Sequence, residues 1–283
     1  MTFGPLVSTE WLANALGNKD LVIFDASVYL PNEPKHARTE YEAAHLPGAR
    51  FFDIEEISDQ DTTLPHMVPS QGRFARLVGE LGVNNQSRVV VYDQKGLFSA
   101  ARAWWMFRLF GHDQVAVLDG GLPKWQSEHR PVEQGPAPVV QAQTFEATFH
   151  ARMLRGLGDI QANLDSRLEQ VLDARAANRF EGSVPEPRAG LASGHIPGSA
   201  SLPYTDLLNA DGTFKDVETL RARFAHAGAD GSRPVVTSCG SGVTAAVLLL
   251  GLAVAGLPEG ALYDGSWTEW GSRSDTPKAT GQA

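Results

Sequence analysis

The sequence predicts an α/β protein made of two tandem domains, each a mainly parallel sheet flanked by helices. Three observations carry this. Short β-branched runs alternate with helix-like segments along the whole chain. Four landmarks recur in the same order in both halves. Between the halves lies Pro131-Val132-Glu133-Gln134-Gly135-Pro136-Ala137-Pro138, whose composition is that of a linker. The expected boundaries are 1–135 for the first domain, 136–158 for the linker and 159–283 for the second domain.

Ser8-Thr9-Glu10 opens a short helix as its cap, and Gly17 closes it. Leu21 to Asp25 reads as a buried strand. Tyr41 to Ala44 is helical and enters the turn His45-Leu46-Pro47-Gly48-Ala49, which leads to Phe51-Phe52-Asp53. A helix covers Phe74 to Leu81 and a strand covers Arg88 to Tyr92. Asp93-Gln94-Lys95-Gly96 then leads into a helix from about Ser99 to Phe110. Trp104 and Trp105 fall on that helix and are expected in the core. Val115 to Leu118 is the next strand. It ends at Asp119-Gly120-Gly121-Leu122-Pro123-Lys124-Trp125, a turn and short helix.

The order then repeats. Asp159 to Leu164 reads as a capped helix and Gln170 to Asp173 as a strand. His195-Ile196-Pro197-Gly198-Ser199 repeats the His45 turn. Both histidines are read as turn-forming, because each repeat has one. Val217 to Ala225 is helical and Val235 to Ser238 is a strand. Asp264-Gly265-Ser266-Trp267 repeats the Asp119 turn. Spacing agrees: His45 to Asp93 is 48 positions and His195 to Cys239 is 44, while Asp93 to Asp119 is 26 and Cys239 to Asp264 is 25. Matched landmarks in matched order indicate a tandem duplication. After the linker, Phe145, Ala147, Phe149 and Ala151 alternate with more polar residues, which predicts an extended segment lying across both domains.

Cys239 occupies a distinctive place in this pattern. It is the only cysteine in 283 residues. It follows the strand Val235 to Ser238 and precedes an apolar helix from Ala245 to Ala255 that stops at Gly256 with Pro258 beyond. Active sites of parallel α/β sheets lie at the carboxyl ends of strands. The first turn of the helix offers unpaired N–H groups and the positive end of the macrodipole. Gly240 and Gly242 let the backbone curl so that these N–H groups converge. A thiolate at the point of convergence is favoured. The matching position in the first repeat is Asp93, which offers no thiol nucleophile, so that repeat is read as non-catalytic. It is expected to supply a wall of the cleft through loops such as Asp53 to His66.

Composition narrows the chemistry. Hydrophobic residues make up 42% and charged residues 20%, ordinary for a globular protein. The net charge of −9 argues against broad nucleic-acid or anionic-membrane binding, so an anionic substrate needs a local positive site. One cysteine excludes an internal disulfide framework, a cysteine-rich zinc site and an iron–sulfur cluster. No metal or other cofactor is called for. The first residues lack a charged n-region and an apolar h-region, and the longest apolar run, Ala245 to Leu257, is too short to span a bilayer. A cytoplasmic, reducing location is therefore expected.

With these residues in view, the chain resembles the tandem rhodanese-domain sulfurtransferases. Each repeat has a His-x-Pro-Gly turn, a strand–loop–helix and an Asp-Gly turn before a tryptophan, and the resemblance covers nearly the whole sequence. It implies two rhodanese-like domains. Cys239-Gly240-Ser241-Gly242-Val243-Thr244-Ala245 matches the loop of the 3-mercaptopyruvate type, as do Arg179-Phe180-Glu181-Gly182 and Pro185-Glu186-Pro187-Arg188-Ala189-Gly190. Thiosulfate-preferring members carry basic residues at the positions of Gly240 and Ser241. The resemblance implies a Cys239 nucleophile that accepts sulfur from 3-mercaptopyruvate, releases pyruvate and passes the sulfur to cyanide or to a small-thiol or thioredoxin-like acceptor. It implies a persulfide cradle of Gly240, Ser241, Gly242, Val243 and Thr244, and a substrate clamp of Arg179 and Arg188. It also implies that Ser241 works with His66, which sits in Leu64-Pro65-His66-Met67, and with an acid that is either Glu55 or Asp61.

Rival readings are separable. A thiol phosphatase needs an arginine six positions after its cysteine, and that position is Ala245. A thiosulfate sulfurtransferase remains the alternative within the class. A redox sensor, or a module that carries a persulfide without turnover, remains the alternative outside it.

Overall fold

The computed structural model describes residues 3–30 and 32–282. Its contacts divide into two compact units. The first gathers residues up to 60 with 68–150 and 209–214; the second gathers 61–67 with 151–208 and 215–283.

The first unit holds a five-stranded sheet of β1 (Leu6–Val7), β2 (Leu21–Asp25), β3 (Arg50–Phe51), β4 (Arg88–Tyr92) and β5 (Val115–Leu118), in the order β1-β5-β4-β2-β3. The second unit holds β6 (Leu154–Arg155), β7 (Gln170–Asp173), β8 (Ala200–Ser201), β9 (Val235–Ser238) and β10 (Ala261–Tyr263), in the order β6-β10-β9-β7-β8. Every pairing between these strands is parallel, and the two orders are the same when the strands of each repeat are matched. The central strands are buried along most of their length, which is why they read as continuous β-branched runs rather than alternating ones.

The strand order positions the site. From β7 the chain leaves towards β8 on one side, whereas from β9 it leaves towards β10 on the other. The connections diverge between β7 and β9, a topological switch point, where α/β sheets open a crevice at their carboxyl ends. Register puts Asp173 level with Ser238, so Cys239 emerges beside the end of β7. In the first sheet Asp25 is level with Tyr92, and Asp93 emerges in the same way.

The helices cover these sheets. In the first unit they are α1 (Thr9–Ala15), α2 (Ala37–Ala43), α3 (Ile54–Ile57), α4 (Gln71–Glu80), α5 (Ala100–Leu109) and α6 (Gly121–Ser127). In the second they are α7 (Leu157–Ser166), α8 (Ala177–Phe180), α9 (Val217–His226), α10 (Ala245–Val254) and α11 (Ser266–Ser272). Ser8 caps α1 by accepting from Trp11 N, as its sequence suggests. Asp159 lies inside α7 rather than at its start. Its carboxylate reaches back to Gly156 N at 2.8 Å, so it supports the first turn from the third helical position. Trp104 and Trp105 are buried. None of the described helices is long and apolar enough to cross a membrane.

The two His-x-Pro-Gly turns are built alike. His45 Nδ1 donates to Tyr41 O at 2.9 Å and its ring stacks on Tyr41. His195 Nδ1 donates to Phe180 O at 2.8 Å and stacks on Phe180. Both rings are buried and both backbones form a short antiparallel bridge, to Glu133 and Ala279 respectively.

Residues 136–150 are grouped with the first unit, and Ala151, the last of the alternating set, with the second. Gln143 N donates to Gly79 O, Thr148 N to Phe110 O and His150 N to Leu109 O. The close approach at Gly79, where a Cβ would lie 2.5 Å from Gln143 O, leaves room only for glycine. Phe145 is the one residue of the alternating set that buries, against Phe74, Phe107 and His112. Phe149 stays 39% exposed, because the strap is held by backbone hydrogen bonds rather than by a repeating apolar face.

Candidate active site

Cys239 follows β9 directly and is 2% exposed. Its loop is anchored from one side by the start of α11. Trp267 N donates to Cys239 O and Thr268 N to Gly240 O, both at 2.9 Å, and Thr268 Oγ1 donates to Gly240 O at 2.6 Å. Ser266 Oγ accepts from Cys239 N at 3.3 Å. The carbonyls at the start of the loop are thereby tied down. Gly242 has a φ of +77°, a left-handed conformation that lets the chain reverse into α10 without a Cβ penalty. α10 is buried from Ala245 to Leu252, and Ser241, Gly242 and Val243 in front of it are buried too.

The matching loop of the first unit shows what this geometry holds. Asp93 Oδ2 accepts from the N–H groups of Phe98, Ser99 and Ala100 at 2.7, 2.9 and 2.9 Å, and Oδ1 accepts from Lys95 N at 2.9 Å. A carboxylate thus fills a nest of backbone donors at the start of α5. Beside it Asp25 is buried, and burial pushes its carboxyl up to about 6 against hydrogen bonds from Ser27 and Gln94.

In the second unit the position of Asp25 is taken by Asp173, in different company. Asp173 pairs with Arg175 at 2.6 Å, Arg175 pairs with Glu186 at 2.8 Å, and Glu186 pairs with Arg179 at 2.5 Å. The side chains of Asp173, Arg175 and Glu186 are at most 3% exposed, whereas that of Arg179 is 22% exposed. Arg175 also donates to Gly194 O and lies over the Trp267 ring at 4.5 Å. The chain of pairs runs from the end of β7 to the Cys239 loop. A Cβ on Gly240 would lie 3.3 Å from Arg179 Nη2 and 4.0 Å from Arg188 Nη1, so both guanidinium groups reach the residue after the cysteine.

His66 lies in the 61–67 segment of the same unit and meets the next residue of the loop. Its Nδ1 is 3.0 Å from Ser241 Oγ and 3.3 Å from Ser241 O. Both side chains are buried. His66 has a φ of +63°, unusual for a residue with a side chain. Glu55 lies in α3 of the first unit and Asp61 opens the 61–67 segment.

The expected residues therefore converge as follows. Arg179 and Arg188 reach Gly240, Ser241 meets His66, and Gly240 to Thr244 form the turn into α10. Three participants escaped the sequence reading: Arg175, Asp173 and the role of Glu186. The only sequence signal for them is a run of charges around α8, ordinary for an exposed loop until the burial of its carboxylate is known. Among the described residues no group of three or more His, Cys, Asp or Glu is arranged to hold a metal ion.

Comparison with known proteins adds the following. The rhodanese-like domain model matches twice, over residues 8–128 and 157–273. The 3-mercaptopyruvate sulfurtransferase of Rattus norvegicus is 45% identical over 278 residues, 96% of this chain and 93% of that protein. The thiosulfate sulfurtransferase of Cricetulus griseus is 44% identical over 272 residues, 94% of this chain and 91% of that protein. The crystal structure of the 3-mercaptopyruvate sulfotransferase SseA from Escherichia coli superposes with a TM-score of 0.84 at 40% identity, covering 93% of this chain and 99% of that one.

Proposed function

The chain belongs to the rhodanese-like family, and we propose that it is a 3-mercaptopyruvate sulfurtransferase working through a Cys239 persulfide. Relatives of both donor classes are similarly identical, so the donor assignment rests on the site. The observation that carries it is the space beside Gly240. A Cβ there would lie 3.3 Å from Arg179 Nη2, so a basic side chain would crowd that group and add a further positive charge beside it, whereas glycine leaves both guanidinium groups beside the loop. An arginine fork suits the carboxylate of a 2-oxo acid.

The chemistry follows. The Cys239 thiolate attacks the donor sulfur. An S–S bond forms, the C–S bond breaks, and its electron pair passes to carbon as the enolate of pyruvate. Arg179 and Arg188 hold the carboxylate and the enolate oxygen. The Ser241–His66 pair takes the proton of the donor thiol and returns it to the methylene carbon, which converts enolate to pyruvate. The persulfide anion rests in N–H groups of the loop, as the Asp93 carboxylate rests in the matching nest. A thiolate acceptor, either a small thiol or a thioredoxin-like protein, or cyanide in an assay, then takes the outer sulfur and regenerates Cys239. A reducing compartment such as the cytoplasm, which keeps thiol acceptors reduced, suits this cycle.

Two-step covalent transfer predicts ping-pong kinetics. The test is kcat/KM for mercaptopyruvate and thiosulfate under one acceptor. Parallel double-reciprocal lines with mercaptopyruvate favoured are expected. A preference for thiosulfate would assign the chain to the other donor class.

A further inference from the structure

We propose that Glu186 sets the donor charge that this site accepts, by neutralising Arg179 and so favouring a monoanionic over a dianionic sulfur donor. This rests on the sulfurtransferase reading above.

The four groups Asp173, Arg175, Glu186 and Arg179 form one continuous chain of ion pairs, with contacts of 2.6, 2.8 and 2.5 Å. Two carboxylates face two guanidinium groups, so the chain is formally neutral. Its inner three members are shielded from solvent, where charge interactions are screened least. Arg179, the outer and partly exposed end, reaches Gly240. It therefore presents N–H donors to a substrate without a surplus charge of its own network. Glu186 binds both arginines, with Oε1 on Arg175 Nη1 and Oε2 on Arg179 Nη2. A second acid elsewhere in the network could not do this, because Asp173 is already occupied by Arg175 through three contacts. Glu186 is thus a positioning and charge-setting residue rather than one that touches the reacting atoms. A singly charged 2-oxo carboxylate fits such a clamp, whereas a dianion such as thiosulfate lacks the second positive charge it needs.

The test compares Glu186→Gln with Glu186→Asp. Gln keeps the length and removes the charge; Asp keeps the charge and shortens the reach. If charge decides, Glu186→Gln raises the thiosulfate-to-mercaptopyruvate ratio of kcat/KM by about tenfold, and Glu186→Asp leaves that ratio near the wild-type value although both rates fall. An unmoved ratio in Glu186→Gln, or an equal shift in Glu186→Asp, overturns the proposal, since a merely structural role would depend on reach. Should neither variant fold, inhibition of the wild-type protein decides. Methanesulfonate and sulfate are both tetrahedral and differ by one charge. Methanesulfonate is expected to compete with mercaptopyruvate at least as well as sulfate, and tighter inhibition by sulfate contradicts the proposal. No mercaptopyruvate turnover in the wild type would count against the donor assignment, whereas turnover with an unmoved ratio counts against Glu186 alone.

Discussion

Ser241 Oγ and His66 Nδ1 are 3.0 Å apart, close enough for a proton to pass between them without a side-chain rearrangement. Replacing His66 by Gln keeps a polar group but removes the acid–base function. We expect kcat for mercaptopyruvate to fall about 10²-fold with KM little changed; a loss confined to KM would make His66 a binding residue instead. Asp25 offers a second residue-scale prediction, on stability. Its folded-state pKa, raised to about 6 mainly by burial, lies above the ~3.9 of an unfolded aspartate. The folded protein therefore holds this proton longer, and the associated stability is present below about pH 4 and lost as pH rises through 6. Urea unfolding of Asp25→Asn and wild type at several pH values reads this directly. The variant should gain relative to wild type between pH 4 and 7, by up to about 2–3 kcal/mol, and a pH-independent difference would contradict the assignment. Neither feature was open to sequence reasoning in full. His66 could be matched to a motif, but its contact with a residue 175 positions away is made by folding. Asp25 was legible as a strand residue and not as a buried acid.

The strand–loop–helix elements are where the proposed anion chemistry would reside. In the first unit the nest at the start of α5 is filled by Asp93, whose Oδ2 takes three backbone donors. Asp93→Ala leaves those buried N–H groups unpaired and should cost about 2–4 kcal/mol in chemical denaturation; a loss below 1 kcal/mol would mean that the nest relaxes or takes up another anion. In the second unit Gly240→Ala places a methyl 3.3 Å from Arg179 Nη2. KM for mercaptopyruvate should rise several-fold with the fold intact, and an unchanged KM would remove Arg179 from the clamp. The long strands and capped helices were legible because a buried parallel strand is a run of β-branched residues and α1 begins at a serine cap. The two-residue strands β1 and β6 were not, since two residues carry no periodicity and take their conformation from the neighbours β5 and β10. The 136–150 strap was legible as extended, but its attachment was not, because that depends on backbone partners at Gly79 and Phe110.

For the molecule as a whole, the duplication was the most legible feature, since repetition is visible without knowing any contact. The structure repeats it in the identical strand order of the two sheets. What the linear sequence hides is that compact units need not be continuous. Residues 61–67 are grouped with the second unit and 209–214 with the first, through contacts made only on folding. The asymmetry between the repeats is chemical: one nest is occupied by its own carboxylate, and the other is preceded by the only thiol in the chain. Because that thiol is unique, the location of any sulfur adduct is unambiguous. The most direct measurement is the intact mass of the protein after incubation with 3-mercaptopyruvate. A gain of about 32 Da is expected, lost on adding cyanide or a thiol and absent in Cys239→Ser, with one pyruvate formed per adduct. No gain in mass, or full turnover by Cys239→Ser, would contradict sulfur transfer through a Cys239 persulfide.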